Sequence, residues 1–456
     1  MEQKEFMNEL LVRARAAQKV FETYTQEQVD AVVRAVGKVI YDNAEMLAEE
    51  AVQESHMGNV KSKVDKQRKV TLACWAYLKD KKSVGIIREE PELGIKVVSK
   101  PVGVIGCITP STNPTSTMAG NVMHAFKSRN AVIVAPHPST AKCSVHGGEL
   151  IRGELKKLGA PEDLLQVIAE PSIEMTQLLM SSADVIAATG GPGMLKAAYS
   201  SGKPSYGVGQ GNVQCIIDQG YTDFEFVARN VVANRAYDLG VPCTGEQSLH
   251  IPAEVKDEVI AALKKEGAFF IEDEEVIDRI RDIVFPDGRN INRGVVGKTA
   301  VELGKIFGVD VPEESRILMI PIHKKGEEDV LCKEILCPIV RYYVYSDFED
   351  TVAVAQTNLL MEGAGHTSCI YSTNEDHITY AGLNLPVGRC VVCQHGAAGA
   401  GNTPENGLNP TITLGCGSWG NNSISENLIY THFMNTTRIA YRLNAEPYDP
   451  QELWGE

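Results

Sequence analysis

The feature that most limits the folds open to this chain is an alternation that runs from residue 101 to about 218. Short apolar runs fall at 102–108, 131–135, 164–168, 184–188 and 213–217. The segments between them, about 115–128, 139–158, 172–181 and 193–200, suit helices. Strands that are apolar on both faces belong in a sheet covered on both sides, and strand–helix repetition makes that sheet parallel. The predicted class is therefore α/β. Such a sheet takes ligands beyond the carboxyl ends of its strands. The loops after Ile108, Ala135, Ile168 and Ala188 are thus where cofactor contacts are expected.

Residues 1–83 read as helices packed on this layer. Thr25 and Gln28 form a capping box ahead of Val29, Val32, Val33, Val36, Val39 and Ile40 at helical spacing. Residues 84–100 hold two β-rich stretches around EEPELG, which predicts a hairpin or projecting arm. A cofactor domain over 101–232 is followed by a second α/β domain over 233–430, with apolar runs at 340–345, 368–371 and 390–394. The polar tail, 431–456, reads as an arm.

Charge narrows the function. With 44 Lys and Arg against 59 Asp and Glu, the net charge is −15. Nucleic acid needs a basic footprint, so it is not an expected partner. Small anions remain open, because backbone N–H groups bind them whatever the net charge. No apolar run is long enough to cross a bilayer, and MEQKEFMNELL has no apolar signal-peptide core. Eleven cysteines without an export signal imply reduced thiols and a cytoplasmic protein.

Several short segments could carry chemistry. Cys243 lies in GVPCTGEQ (240–247), a setting that suits a thiol presented at a turn. Asn113, in TPSTNP (109–114), could donate its side-chain amide to an oxyanion. Thr189-Gly190-Gly191-Pro192-Gly193 follows a predicted strand and opens a helix, where backbone can approach a phosphate. Taken singly, each has a plainer reading, such as an Asn-Pro turn or a tight strand start. GVGQGN (207–212), the CxxC at Cys390 and Cys393, and His366 have structural readings too. Zinc needs four ligands at compatible spacing, and no second pair accompanies the CxxC, so no metal is expected. If 243–248 open a helix, Glu246 lies one turn past Cys243 and reads as a capping or structural carboxylate.

Together the motifs resemble the CoA-acylating branch of the aldehyde dehydrogenase superfamily. Four segments carry the resemblance: PVGVIGCITPSTNPTST (101–117), ATGGPGMLKAAYSSGKPSYGVGQGN (188–212), VPCTGEQS (241–248) and LGCGSWGNNSISEN (414–427). The chain looks like the aldehyde dehydrogenase half of bifunctional aldehyde–alcohol dehydrogenases, and more closely like stand-alone acylating succinate-semialdehyde dehydrogenases. The resemblance implies a Rossmann-type cofactor domain, an α/β catalytic domain and oligomerisation arms at 84–100 and after 430. It implies a homodimer or a dimer of dimers.

By resemblance, Cys243 is the catalytic thiol, and Asn113 stabilises the oxyanion together with the backbone N–H of Cys243. NAD or NADP is the implied cofactor and CoA the co-substrate. The implied cofactor contacts are Thr109, Pro110, Ser111, Thr112, Thr189, Gly190, Gly191, Gly193 and Gly209. His137, Pro138 and Ser139 occupy the adenosine-side loop. Glu334 and Pro338 match the E-x-F-G-P motif that holds the nicotinamide ribose, with Leu336 and Cys337 in place of its Phe and Gly.

Two departures separate the chain from hydrolytic members. Their water-activating glutamate falls at Gly207, and their adenosine-side lysine falls at Ala135. Without the base, a thioester on Cys243 is left for a thiol and not for water. A hydrolytic dehydrogenase is the runner-up. Succinate semialdehyde is the expected substrate, with acetaldehyde, propionaldehyde and sulfoacetaldehyde as alternatives. Arg235, Thr244, His366 and Arg389 are the candidate substrate contacts, the arginines being suited to an anionic tail.

Overall fold

The computed structural model describes residues 3–445 and 447–455. It opens with α1 (Gln3–Phe21), α2 (Gln26–Asp42), α3 (Ala44–Ser55) and α4 (Val60–Leu78). The capping box of Thr25 and Gln28 is formed, and Val29, Val32, Val33, Val36 and Ile40 make the buried stripe of α2. Next, β1 (Ile86–Glu90) and β2 (Ile95–Pro101) pair antiparallel across a turn at Pro91–Leu93.

The alternating region builds a parallel five-stranded sheet from β3 (Val104–Thr109), β4 (Ala131–Pro136), β5 (Leu165–Val167), β6 (Val185–Thr189) and β7 (Ser205–Val208). Its order is β5-β4-β3-β6-β7. The connecting helices are α5 (Pro114–Lys127), α6 (Ala141–Lys157), α7 (Ile173–Ser182) and α8 (Pro192–Tyr199). Every residue of β3, β4 and α5 is buried, because α5 lies between the sheet and the N-terminal helices in one shared core. Burying one Val or Ile side chain contributes roughly 1.5–3 kcal/mol. That fixes the register of the sheet, and with it the loops at the strand ends.

A second parallel sheet contains β8 (Val213–Ile217), β9 (Glu246–Pro252), β10 (Ala268–Phe270), β11 (Ile317–Pro321), β12 (Ile339–Tyr345), β13 (Gly365–Tyr371) and β14 (Val387–Val392). Its order is β10-β11-β12-β9-β8-β13-β14. Here the sequence expectation needs correction. Residues 213–217 were expected in the cofactor layer, within 101–232. Instead β8 pairs with β9 and β13, so the chain changes sheet across 209–212. A strand apolar on both faces reads the same whichever sheet takes it, and only the pairing decides. The last strand, β15 (Met434–Ala440), returns to β2 and completes a small β1-β2-β15 sheet.

Candidate active site

The carboxyl ends of β3, β4 and β6 open into a cavity of about 1430 Å³. A site for one drug-sized ligand is roughly 300–1,000 Å³, so two ligands can meet here. Thr109, Pro110, Ser111, Thr112 and Asn113 line it after β3, His137 and Pro138 after β4, and Thr189, Gly190 and Gly191 after β6. Gly209, Cys243, Thr244 and Glu334 complete this set. Lys66, Lys69, Ala73 and Tyr77 of α4 and parts of 395–412 form further wall. Ser139, Gly193 and Pro338 do not line the cavity. Ser139 instead pairs its hydroxyl with His137 Nδ1 at 2.8 Å.

Cys243 sits in a loop pressed from both sides. A Cβ on Gly211 would lie 1.9 Å from the Cys243 carbonyl oxygen, so only glycine allows this approach. Gly240 has φ +73, and a Cβ there would lie 2.4 Å from the Cys337 carbonyl carbon. The Sγ of Cys243 is 3.3 Å from Nε2 of His366, at the start of β13. Burial, with Arg389 adding to it, lowers the His366 pKa to about 3, so the imidazole is neutral. Burial, and then nearby Glu334, raises the Cys243 pKa to about 12, while Lys66 opposes the rise. The resting pair is a thiol beside a neutral imidazole.

Glu246 does not lie on a helix. It begins β9, where it accepts from Gly396 N at 2.8 Å and Asn234 Nδ2 at 2.7 Å. It is absent from the cavity wall, so the carboxylate is structural. Glu334 faces the cavity, and its Oε1 accepts the Gly211 N–H at 2.9 Å. Burial, with Glu362 beside it, raises the Glu334 pKa to about 8.

Asn113 precedes α5, and its Oδ1 accepts from Nζ of Lys66. The same ammonium binds Oδ2 of Asp238 at 2.8 Å. Lys63 joins the group, at 3.0 Å from Asp238 Oδ2 and 2.9 Å from the Thr112 carbonyl. Asp238 also accepts the Asn59 N–H, at the start of α4, at 2.9 Å. Its φ is 48 and that of Leu239 is 57. Two consecutive non-glycine residues in the left-handed region are costly and persist only when their surroundings hold them. Lys63, Lys66 and Asp238 carried no signal in the sequence, and Gly211 stood there only as part of GVGQGN (207–212). The lysines lie in the N-terminal helices, far along the chain from any motif.

Both candidate arginines prove to be structural. Arg235 is fully buried and donates to the carbonyls of Ile335, Ile339 (3.0 Å) and Cys337 (2.6 Å), which holds the loop that carries Glu334. Arg389 donates to the carbonyls of Gly365 (2.9 Å), His366 (2.7 Å) and Gly415 (2.9 Å). Neither lines the cavity, so neither meets a substrate tail, whereas Thr244 does line it. A buried guanidinium takes nearby carbonyls as partners, which sequence position cannot reveal, although Arg235 Nη1 is left without one.

The cavity fits an oxygen-rich cofactor. Thr109, Thr117 and Thr189 line it, and each has a buried Oγ1 without a hydrogen-bond partner. A Cβ on Gly191 would meet nothing within 4 Å, so the backbone after β6 is open to a ligand. Among the described residues, no group of three His, Cys, Asp or Glu side chains is placed to hold a metal ion. No described helix is long and apolar enough to cross a membrane.

Cys243 and Asn113 line one cofactor-sized cleft at the carboxyl ends of a parallel sheet. The profile of the aldehyde dehydrogenase family matches residues 2–269. The chain belongs to the aldehyde dehydrogenase family, and within it to the acylating enzymes. It is 50% identical to a succinate-semialdehyde dehydrogenase (acetylating) of Clostridium kluyveri, over 98% of this chain and 99% of that one. It is 38% identical to a sulfoacetaldehyde dehydrogenase of an Acholeplasma species, over 97% and 92% of the two chains. An acetylating aldehyde dehydrogenase of Geobacillus thermoglucosidasius superposes with a TM-score of 0.94 at 35% identity, covering 98% and 99%. A propionaldehyde dehydrogenase of Rhodopseudomonas palustris, solved with bound CoA and an acylated cysteine, superposes with a TM-score of 0.83 at 26% identity, covering 95% and 97%.

Proposed function

We propose that this chain oxidises a short aldehyde with an anionic tail to its CoA thioester, reversibly, with NAD(P)+ as hydride acceptor. The observation that carries the reading is the Cys243–His366 contact at 3.3 Å, with Cys243 and Asn113 lining one cavity and His366 buried and off its wall. Sγ of Cys243 attacks the carbonyl carbon. The C–S bond forms, the carbonyl π pair moves to oxygen, and the thiol proton passes to His366 Nε2. Asn113 Nδ2 and the Cys243 N–H donate to the new oxyanion. A nicotinamide bound in the cleft supplies the hydride acceptor, and a thioester remains on Cys243. Thr189, Gly190 and Gly191 would hold the pyrophosphate and Glu334 the ribose. His366 must first release that proton to solvent. It then takes the CoA thiol proton as the CoA sulfur attacks the thioester carbonyl, the C–S bond to Cys243 breaks, and the departing Cys243 thiolate takes the proton back.

The water-activating glutamate of hydrolytic members falls at Gly207, where even a Cβ would lie 2.8 Å from Leu195 Cδ2 and from the Tyr199 hydroxyl. Thioester exchange is close to balanced, so acyl-CoA reduction runs on the same residues.

Succinate semialdehyde is the first choice of substrate, supported by the 50% identical relative. Sulfoacetaldehyde is the second, supported by the 38% identical relative. We also assign oligomer formation to the β1-β2-β15 sheet, because the outer edge of β15 is unpaired among the described residues and the strand is mostly exposed. Eleven cysteines, all free thiols, support a cytoplasmic setting. The test is NAD(P)H formation with both anionic aldehydes, acetaldehyde and propionaldehyde, with and without CoA. Turnover that needs CoA and vanishes in Cys243→Ala is expected. Full-rate turnover without CoA would overturn the acylating reading.

A further inference from the structure

Helix α4 belongs to the N-terminal layer, outside both sheets, yet it reaches into the centre of the site. Its residues Lys63 and Lys66 converge on Asp238, which lies five residues before Cys243. Asp238 is fully buried, and both lysine side chains are nearly so. Two ammonium groups share one carboxylate, so the cluster carries a net positive charge beside the cavity. Burial raises the Asp238 pKa, but Lys66 and Lys63 outweigh it and the net shift is downward.

Lys63 and Lys66 both bridge the two reacting loops, but Lys66 is the one that reaches the Asn113 side chain. One contact is the Asn113 carbonyl oxygen and the other is Asp238. An ammonium can only donate, so it fixes the Asn113 amide with Oδ1 towards Lys66. The NH2 edge then faces elsewhere. One of its hydrogens goes to Thr112 Oγ1 at 3.2 Å, which leaves the other for a ligand oxygen. Without Lys66, an amide flip would present a carbonyl oxygen to the oxyanion, and an attractive contact would become a repulsive one. The Asp238 contact meanwhile clamps the strained backbone at 238–239 that leads into the nucleophile loop.

We infer that Lys66 is the positioning residue that sets the oxyanion donor Asn113 and registers it against the Cys243 loop. The inference rests on the acylating reading for its catalytic readout, but its geometric content does not need that reading. In Lys66→Met, kcat should fall about 10²–10³-fold, as when one oxyanion donor is lost. KM for the aldehyde should change far less. The double variant Lys66→Met/Asn113→Ala should be no slower than Asn113→Ala alone, because both changes remove the same contact. Lys61→Met, exposed on the same helix, serves as the control.

A second readout uses neither aldehyde nor CoA. Alkylation of Cys243 by iodoacetamide at pH 8–9 should slow severalfold in Lys66→Met, because the ammonium that favours the thiolate is gone. If methionine at 66 prevents folding, Lys66→Gln keeps an N–H donor without the charge. It should retain more of kcat than the loss in Asn113→Ala, and should still slow alkylation. An unchanged kcat in Lys66→Met, additive losses in the double variant, or an unmoved alkylation rate in the folded variant would each overturn the inference. A wild-type enzyme that ignores CoA would overturn only the acylating reading, since alkylation and the double-variant comparison would still be read.

Discussion

Gly211→Ala tests whether the nucleophile loop is held by close backbone contact. The new Cβ would lie 1.9 Å from the Cys243 carbonyl oxygen, 2.8 Å from its carbonyl carbon and 3.2 Å from its Cα. The shortest of these is about 1.5 Å or more inside ordinary van der Waals range. The neighbour is backbone, so no rotamer change relieves it, and the Cys243 loop must shift by a similar amount. A misplacement of about 1 Å at a reacting group costs about 10²-fold in rate. The same overpacking costs roughly 1–3 kcal/mol of stability. For a chain of 456 residues that lowers Tm by roughly 1–3 °C. Gly211 N–H also anchors Glu334, so cofactor affinity should weaken as well. The assay is the pre-steady-state NAD(P)H burst with saturating aldehyde, alongside a thermal melt. A burst rate within twofold of wild type, with the protein folded, would refute the close-approach argument.

Further outcomes follow from the same geometry. His366→Ala removes the acceptor 3.3 Å from the thiol and should slow acylation about 10²-fold or more at pH 7. That loss should shrink as pH rises, because solvent then deprotonates Cys243 unaided; a constant deficit from pH 7 to 10 would refute the proton-transfer role. Because burial holds the Cys243 pKa above its ordinary value, the wild-type alkylation rate should keep climbing through pH 9. A plateau near pH 7 would show a thiolate at rest. Gly153 in α6 and Gly382, in the helix Glu375–Asn384, have open space where a Cβ would sit and no positive φ. Alanine at either should therefore add roughly 0.5–1 kcal/mol of stability, read as a higher urea midpoint.

What the sequence determined by itself was local. The parallel sheet, its helices, the Thr25 cap and the loops after β3, β4 and β6 were legible, because periodicity, caps and glycine turns act over a few residues. Cys243, Asn113 and the Thr189–Gly191 loop were legible as motifs, and the structure brings all of them to one cavity. Tertiary structure alone decided which sheet β8 joins, since pairing with Glu246 and Cys369 leaves no mark on an apolar run. It alone turned Arg235 and Arg389 from substrate candidates into braces, because their partners are backbone carbonyls contributed by other loops. The convergence at the site is long-range as well. His366 reaches Cys243 across 123 residues, and Lys66 reaches Asn113 across 47 and Asp238 across 172. Such contacts exist only after two sheets and the N-terminal helices have packed against one another. Burial then sets the protonation of each group, and burial is a property of the folded chain and not of its residues in sequence.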